Sequence, residues 1–241
     1  MGLFSRNTKK INPQKLPYSV AFIIDGNGRW AKKRGMPRLL GHKAGIKAVE
    51  NTIDNAEKMG LKQVSFFCFS TENWNRPKEE VDGLFNLFRK FLTDNTLQYK
   101  KRDIKFVFCG NREKISQDIL DMIDELQSST KDCKKMTVCL CINYGGRYDI
   151  VQAVNKLLAK GKQNVTEEQF SKALLTADLK DPDLIVRTSG EVRISNFMLY
   201  QMAYSEFYFT KTYWPDFDQK ELEKAIIEFQ GRNRRFGSIK E

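Results

Sequence analysis

One short segment near the start of the chain combines a carboxylate, two glycines and an arginine. It reads Asp25-Gly26-Asn27-Gly28-Arg29-Trp30 and directly follows an apolar run. Glycines let the backbone approach a ligand closely, and the free N–H groups at the start of a helix bind anions such as phosphate. Asp25 could hold a Mg²⁺ ion that in turn binds the phosphate. A plain tight turn would also explain the glycines, but Arg38 and His42 follow closely, so we predict a phosphate-binding loop.

A second group of polar residues follows the next apolar run. It reads Ser70-Thr71-Glu72-Asn73-Trp74-Asn75-Arg76-Pro77 and places groups that can hydrogen-bond or transfer protons beside a large indole ring. The same residues are typical of the region that caps the following helix, and both interpretations can hold together.

A third group lies late in the chain, from Arg187 to Phe197. It contains two arginines and two serines, and an arginine guanidinium group binds phosphate through two parallel hydrogen bonds. Glu206 begins the next apolar run, where a carboxylate has little reason to be buried unless it meets a cation. A further turn, Asn143-Tyr144-Gly145-Gly146-Arg147, is interpreted as structural.

Short β-branched and aromatic runs alternate with segments of helical periodicity along the whole chain. The predicted strands are Val20–Ile24, Val64–Phe69, Ile104–Cys109, Thr137–Asn143, Leu184–Arg187 and Glu206–Thr210. The predicted helices are His42–Met59, Glu79–Leu92, Ser116–Leu126, Tyr148–Leu158, Thr166–Leu175 and Glu221–Phe229. For the fourth of these helices the predicted buried stripe consists of Val151, Val154 and Leu158.

This alternation predicts a single α/β domain with a central, mainly parallel six-stranded sheet flanked by helices. We place the domain at residues 15–241, after a flexible basic tail of residues 1–14. Ligands of such sheets bind beyond the carboxyl ends of the strands, which is where all three polar groups lie.

Composition and charge narrow the classes of function. The chain has 241 residues and a net charge of +11, which favours an anionic partner, although scattered lysines also serve solubility. Cations cluster at Arg29, Lys32, Lys33, Arg34, Arg38 and Lys43, and again at Arg232, Arg234 and Arg235. Five cysteines without a CxxC pair and a single histidine argue against a zinc site. Without an apolar secretory segment at the start, we expect a cytosolic protein with reduced cysteines.

Four motifs in order resemble the cis-prenyltransferase family. They are DGNGRWAKKRGMPRLLGHKAG, FSTENWNRP, NYGGRYDI and RTSGEVRISNFMLYQMAYSEFYF, and the resemblance runs from Pro17 to Gly237. It implies a homodimeric, Mg²⁺-dependent enzyme that adds isopentenyl diphosphate repeatedly to farnesyl diphosphate with cis double bonds. The implied product is a long-chain polyprenyl diphosphate such as undecaprenyl diphosphate, the lipid carrier for cell-wall glycans. Peripheral contact with a membrane for product release is a further expectation.

The resemblance also assigns roles to individual residues. Asp25 matches the metal-binding catalytic carboxylate, and Glu206 matches a second metal-contacting carboxylate that reaches across the dimer. The allylic diphosphate site is implied to comprise Gly26, Asn27, Gly28, Arg29, Arg34, Arg38 and His42. The residues beside the reacting carbons and the first isoprene units are Trp30, Ser70, Thr71, Glu72, Trp74 and Arg76. The isopentenyl diphosphate site is implied to comprise Arg187, Arg193, Ile194 and Ser195.

Two further roles follow from the same resemblance. Asn73 matches the position assigned as proton acceptor, while Asn27, water or a diphosphate oxygen remain alternatives because an amide is a poor base. The tail Arg235-Phe236-Gly237 is expected to complete the partner subunit's site. Separately, the segment Asn196–Phe209 is dense in Phe, Tyr, Leu and Met, so we expect it to supply the apolar dimer interface.

The growing chain needs a hydrophobic tunnel inside the fold. The candidates for its wall are Phe85, Phe88, Phe91, Leu92, Phe106 and Phe108, all of which could equally be ordinary core.

Other functions remain as alternatives at this point. An all-helical trans-prenyltransferase would carry a DDxxD motif, which this sequence lacks. A nucleic-acid-binding module would fit the charge, but no recognised motif accompanies it. A non-catalytic prenyltransferase subunit should lack the DGNGR loop, which is intact here, and a cis-prenyltransferase of different product length also stays open.

Overall fold

Six strands and seven α-helices alternate along the chain in a computed structural model, which describes residues 10–234 apart from the side chains of residues 95 and 96. The strands are β1 (Ser19–Ile23), β2 (Gln63–Ser70), β3 (Ile104–Cys109), β4 (Met136–Tyr144), β5 (Leu184–Arg187) and β6 (Glu206–Phe209). The helices are α1 (Asn27–Lys33), α2 (Arg38–Met59), α3 (Lys78–Lys101), α4 (Gln117–Thr130), α5 (Gly146–Leu158), α6 (Glu167–Ser171) and α7 (Gln219–Gln230).

The strands form one sheet in the order β3-β4-β2-β1-β5-β6, and every neighbouring pair is parallel. All six carboxyl ends therefore lie at the same edge. The chain moves from β1 to β2 on one side and returns to β5 on the other, so a crevice opens beyond the end of β1. This topological switch point is where ligands of open α/β sheets bind.

The central strands are covered on both faces. All five residues of β1 are buried, as are nearly all of β4, because helices pack on both sides of a parallel sheet. On one face, Phe22 stacks on Phe66 with ring centroids 5.2 Å apart, and both contact Trp214. The indole N–H of Trp214 donates to the backbone oxygen of Gly45 at 2.8 Å, which ties this core to α2.

The predicted single α/β domain and its six strands are confirmed, with strand ends shifted by no more than one residue. The helices differ more from expectation. Helix α2 begins at Arg38 rather than His42, and α3 continues nine residues beyond Leu92 to Lys101. The continuation is stabilised by Tyr99, which is buried against Phe106 with ring centroids 4.8 Å apart.

The predicted buried face of α5 is wrong. Val151, Val154 and Leu158 are 57%, 41% and 61% exposed, whereas the residues turned inward include Asp149 and Leu157. The reason is a buried polar network that the apolar pattern does not reveal. Asp149 accepts hydrogen bonds from the Tyr144 hydroxyl at 3.0 Å, from the Gln201 amide at 3.0 Å and from the backbone N–H of Leu175 at 2.8 Å.

The structure describes the chain from residue 10, which lies within the tail of residues 1–14 that the sequence predicts to be flexible. The backbone N–H and C=O of Asn12 both bond to the side chain of Gln230 on α7, and a 3-10 helix covers Pro13–Lys15. The rest of the predicted flexible tail, residues 1–9, and the carboxyl-terminal Arg235-Phe236-Gly237 lie outside the described residues. Within residues 10–234, no helix combines the length and apolar character that crossing a membrane requires.

Candidate functional site

The loop after β1 is shaped by a glycine that nothing larger could replace. Gly26 caps the amino end of α1 with a φ of 107°, in the left-handed region. A Cβ atom there would lie 2.7 Å from Cδ1 of Tyr213 and 2.9 Å from Cβ of Ser189. The predicted phosphate loop is therefore the start of a helix. The sequence did not predict α1 because two glycines in five residues are typical of a loop.

Two further glycines let α1 and α2 approach closely. A Cβ atom on Gly41 would lie 2.1 Å from the backbone oxygen of Asn27, and one on Gly45 would lie 2.4 Å from its side-chain oxygen. That oxygen, Asn27 Oδ1, is buried without a hydrogen-bond partner among the described residues. The close packing brings the amino ends of both helices, and their free N–H groups, to the edge of the same crevice.

A polar pocket of about 430 Å³ fills this crevice beyond the ends of β1, β2 and β5. The structure thus brings together most of the residues predicted from the sequence. Those that line the pocket are Asp25, Gly26, Asn27, Gly28, Arg29, Arg38, His42, Ser70, Asn73, Arg76, Arg187 and Ser195.

Asp25 lies between two arginines at the centre of the pocket. Its Oδ2 atom is 3.0 Å from Nη2 of Arg187 and 3.1 Å from Nη2 of Arg29. Burial acts to raise the pKa of Asp25, but the hydrogen bonds and charges of both arginines outweigh it and hold the pKa below its usual value. The carboxylate is therefore ionised throughout the neutral range, as a metal ligand must be.

Arg187 is held rigidly by the loop that follows its own strand. Its side chain is only 4% exposed, and its Nη1 atom donates to the backbone oxygen of Arg193 and to Oγ of Ser195. Its Nε–H has no partner among the described residues. Glu191 joins the same loop to α1, since its two oxygens accept from Arg29 and from Arg193, each at 2.6 Å.

Two arginines and a histidine converge on Glu80, a residue that the sequence did not single out. A single oxygen of Glu80 lies 3.2 Å from Arg38, 3.3 Å from His42 and 3.3 Å from Arg76. The signal that could have found it is weak: a carboxylate four residues after Arg76, in the first turn of α3. This group, Arg38, His42 and Arg76 around Glu80, is called the Glu80 cluster below.

The burial of His42 predicts a pH dependence of protein stability that tests this geometry. Burial is the main influence on the pKa of His42 and lowers it, the charge of Arg76 lowers it further, and the hydrogen bond with Glu80 partly opposes them. As the pH falls, His42 becomes protonated near pH 6.5 in the unfolded chain but only at a lower pH in the folded chain. The contribution of neutral His42 to the free energy of unfolding is therefore present in full above about pH 6.5. It is lost as the pH falls through the lower pKa of His42 in the folded state.

We expect His42→Gln, which still donates to Glu80, to remove this part of the pH dependence. Urea unfolding in steps from about pH 7.5 to about pH 5.5 measures it, with the wild-type chain losing more stability than the variant. Equal losses in the two chains would show that His42 is not held neutral.

The segment after β2 caps a short 3-10 helix, not the following α-helix as predicted. Ser70 and Asn73 form a reciprocal capping box for the 3-10 helix Thr71–Asn75 rather than for α3. In it, the backbone N–H of Ser70 donates to Oδ1 of Asn73 at 3.1 Å. Asn73 therefore lines the polar pocket with its carbonyl oxygen already engaged. Glu72 does not line the pocket, and it accepts from Nδ2 of Asn196 at 2.8 Å.

An apolar cavity of about 90 Å³ adjoins the polar pocket between the sheet, α2 and α3. Five residues line both: Ile24, Asn27, His42, Cys68 and Leu84. Of the predicted tunnel residues, Phe85, Phe88 and Phe91 line the cavity. Leu92, Phe106 and Phe108 do not, because they pack in the core between α3, β3 and their neighbours.

Several predicted site residues line neither cavity: Trp30, Arg34, Thr71, Glu72, Trp74, Arg193, Ile194 and Glu206. Trp74 stacks on the cavity residue Phe85 at 5.2 Å, so it supports the cavity wall from behind. Trp30 and Arg34 both bond to Asp216 instead.

Glu206 lies at the opposite edge of the sheet from Asp25. It begins β6, whereas Asp25 follows the carboxyl end of β1, and it forms an ion pair with Arg232 at 2.8 Å. Within one chain the two predicted metal-contacting carboxylates are therefore not brought together.

The site thus combines two cationic groups, one at Asp25 and one at Glu80, with an adjoining apolar cavity. Such an arrangement fits anionic head groups at the ends of the strands and an apolar chain extending between α2 and α3.

Comparison with known proteins identifies a matching family model and similar relatives. A family model described as "Putative undecaprenyl diphosphate synthase" matches residues 23–237. The isoprenyl transferase of Fusobacterium nucleatum is 46% identical over 227 residues, which cover 94% of this chain and 98% of that protein. The isoprenyl transferase of Aquifex pyrophilus is 44% identical over 225 residues, which cover 93% of this chain and 97% of that protein.

Two solved structures share the fold. Lavandulyl diphosphate synthase from Lavandula x intermedia, in complex with dimethylallyl diphosphate, superimposes with a TM-score of 0.90 at 34% identity and covers 93% of this chain and 100% of its own. A probable undecaprenyl diphosphate synthase from Campylobacter jejuni superimposes with a TM-score of 0.78 at 30% identity. The match covers 92% of this chain and 99% of that structure.

Proposed function

The chain belongs to the isoprenyl transferase family, and on this premise we propose that it lengthens farnesyl diphosphate by repeated addition of isopentenyl diphosphate with cis double bonds. The proposed product is a long-chain polyprenyl diphosphate, with undecaprenyl diphosphate as the expected member. One observation carries the proposal: a cationic pocket at the strand ends opens directly into an apolar cavity. A non-catalytic subunit would not need the intact cationic pocket.

The two cationic groups suit two diphosphates. We assign the allylic diphosphate to the Glu80 cluster and the amino end of α1, and isopentenyl diphosphate to Arg187, Arg193 and Ser195. Arg29 connects Asp25 to the second of these sites, since it contacts Asp25 and is joined to Arg193 through Glu191. Because both head groups are held in fixed positions, the reacting carbons lie close together. This orientation can lower the activation free energy by several kcal/mol.

The donor set at Asp25 fits a Mg²⁺ ion held jointly with substrate. Both arginines contact Oδ2, so Oδ1 remains as an oxygen ligand. Among the described residues no group of three or more His, Cys, Asp or Glu side chains could hold a metal alone. Mg²⁺ is commonly bound through one or two carboxylates plus substrate phosphates and water, so one carboxylate in a diphosphate pocket suffices. When bound, Mg²⁺ would neutralise the charge that develops on the leaving diphosphate.

The chain's own residues would stabilise the departing diphosphate in the same way. Breaking the allylic carbon–oxygen bond places negative charge where Arg29, Arg38 and the N–H groups of α1 already point, so little reorganisation is needed. The isopentenyl double bond then attacks the allylic carbon, and a proton leaves the new chain. The buried Oδ1 of Asn27 has no hydrogen-bond partner within residues 10–234, so Asn27 is better placed to orient that proton than Asn73, whose oxygen accepts from Ser70. The proton then passes to water or a diphosphate oxygen.

The apolar cavity is smaller than the proposed product. Its volume of about 90 Å³ equals that of only about three water molecules at about 30 Å³ each, so a growing chain must push α3 away from α2. Bulky rings on α3 therefore oppose elongation. We expect Phe88→Ala to shift the product distribution toward longer chains at similar total turnover, measured by chromatography of dephosphorylated products.

Phe108→Ala is the matched control for this prediction. Phe108 is also partly buried but packs in the core outside the cavity, so its loss should lower stability without changing product length. Identical product distributions for Phe88→Ala and wild type would contradict the assignment of the cavity.

The homodimer implied by the sequence resemblance is likewise proposed here. It is supported by an exposed apolar stripe on α5, which a subunit interface would cover, together with the edge strand β6. We expect Val151→Asp combined with Leu158→Asp to yield monomers in sedimentation velocity experiments. Val165→Asp, on an exposed residue elsewhere, should leave the dimer intact. A wild-type chain that sediments as a monomer would refute the dimer.

The proposed reaction is tested by following diphosphate release from the purified full chain. Release should require farnesyl diphosphate, isopentenyl diphosphate and Mg²⁺ together, and should cease when any one is left out. Release from farnesyl diphosphate alone would indicate a hydrolase or a cyclising enzyme and would contradict the proposal.

A further inference from the structure

The corner between α1 and α2 presents an unusual exposed surface. Residues 32–40 are exposed without interruption, and this run contains four cations and no carboxylate. Three large aliphatic residues lie among them: Met36, Leu39 and Leu40 are 40%, 44% and 45% exposed. Single exposed aliphatic residues are ordinary, but a contiguous group ringed by cations marks an interaction surface.

The surface continues along the outer side of α2. The inner side of this helix, with Gly41, Gly45 and Val49, packs inside the domain. Leu40, Lys43 and Lys47 follow each other at intervals of three and four residues and are all exposed, so they share the outer side. We call the combined surface of Lys32, Lys33, Met36, Leu39, Leu40 and Lys43 the corner patch.

Within residues 10–234, no carboxylate forms an ion pair with the lysines of the corner patch. The neighbouring Arg34 and Arg38 have carboxylate partners in Asp216 and Glu80. For Lys32, Lys33 and Lys43, by contrast, no carboxylate within residues 10–234 lies at ion-pairing distance. The patch therefore offers an aliphatic centre and unpaired lysines side by side.

We propose that the corner patch docks on a lipid bilayer that contains anionic lipids. Aliphatic side chains gain free energy when they enter the boundary of the acyl chains, and lysines around them are attracted to anionic head groups. Nucleic acid fits less well, because its phosphates would satisfy the lysines but leave Met36, Leu39 and Leu40 against a polar backbone. The combination of both features favours the lipid surface.

Docking in this way would place the polar pocket beside the bilayer surface. Arg38 and His42, on the same end of α2 as the patch, line that pocket, whereas none of the corner-patch residues lines either cavity. The proposal goes beyond the prenyl transfer reaction and does not depend on it, since the binding surface lies outside the cavities and can be tested without substrate.

The test is cosedimentation of the full chain with phosphatidylcholine vesicles, with and without phosphatidylglycerol. We expect binding to the anionic vesicles that weakens with added salt. Met36→Asp, Leu40→Asp and the pair Lys32→Glu with Lys33→Glu should each weaken binding at least about tenfold. The matched controls are Leu97→Asp, on a residue that is 76% exposed on α3, and Lys220→Glu on α7, and both should bind as wild type does.

Three results would overturn the proposal. The first is a wild-type chain that does not cosediment with anionic vesicles. The second is equal binding by the patch variants and the controls, with thermal unfolding showing all of them folded. The third is binding to duplex DNA that is lost in the lysine variants but unchanged in Met36→Asp and Leu40→Asp, which would assign the surface to nucleic acid instead.

Discussion

Replacing Asp25 with alanine is expected to lower kcat at least about a thousandfold, which corresponds to about 4 kcal/mol of activation free energy. The carboxylate stands at the carboxyl end of β1, ionised between Arg29 and Arg187, where the diphosphate of the proposed reaction must leave. Its removal deletes the proposed Mg²⁺ ligand and also leaves Arg187, whose side chain is 4% exposed, without its ion pair. The measurement is steady-state turnover at saturating substrates and Mg²⁺.

Two variants separate catalysis from folding in this experiment. Asp25→Asn keeps a hydrogen-bond acceptor for Arg187 but loses the charge, so it should unfold at nearly the wild-type temperature and still be severely impaired. Asp216→Ala removes a carboxylate that pairs with Arg34 outside both cavities and should leave turnover nearly unchanged. If Asp25→Ala retained turnover within tenfold of wild type, Asp25 would not be the catalytic carboxylate.

The second large effect concerns the two arginines that we assign to different diphosphates. Arg38→Ala should raise the KM for farnesyl diphosphate, and Arg193→Ala should raise the KM for isopentenyl diphosphate. Each change should be about ten- to a hundredfold, because each removes charge-assisted hydrogen bonds to a diphosphate. The structure motivates the division: Arg38 belongs to the Glu80 cluster, and Arg193 is bound by Glu191.

Arg34→Ala is the control for these measurements. The sequence resemblance placed Arg34 with the substrate-binding residues, but the structure pairs it with Asp216. Arg34 and Arg193 both lie outside the lining of the two cavities, but only Arg193 is joined through Glu191 to the pocket residue Arg29. We expect both KM values to stay within about twofold of wild type. Equal increases in both KM values for Arg38→Ala, or for Arg193→Ala, would show that the sites are not divided in this way.

The strands were predictable because parallel strands buried on both faces must be apolar almost throughout. Phe22 and Phe66, for example, stand in unbroken apolar runs that no exposed strand or helix would carry. The position of the site followed from the same argument, since Asp25 and Arg187 come directly after two of these runs. Topology alone then brings them within 3.0 Å of each other.

What the sequence did not reveal depends on contacts between distant residues. Helix α1 carries glycines because α2 and Tyr213 approach it closely, and only the folded chain shows that approach. The inner face of α5 is fixed by Asp149, whose partners lie on other segments, so the apolar periodicity pointed to the opposite side. Glu80 was missed for the same reason, because two of its three partners come from α2.

The proposed chain elongation is tested most directly by the length of the product formed from labelled isopentenyl diphosphate. The purified chain is incubated with farnesyl diphosphate, Mg²⁺ and radiolabelled isopentenyl diphosphate, and the dephosphorylated products are separated by reversed-phase chromatography. We expect a ladder of intermediates that converges on one long-chain polyprenol and is absent in Asp25→Ala. A single condensation product, or no incorporation of label, would contradict it.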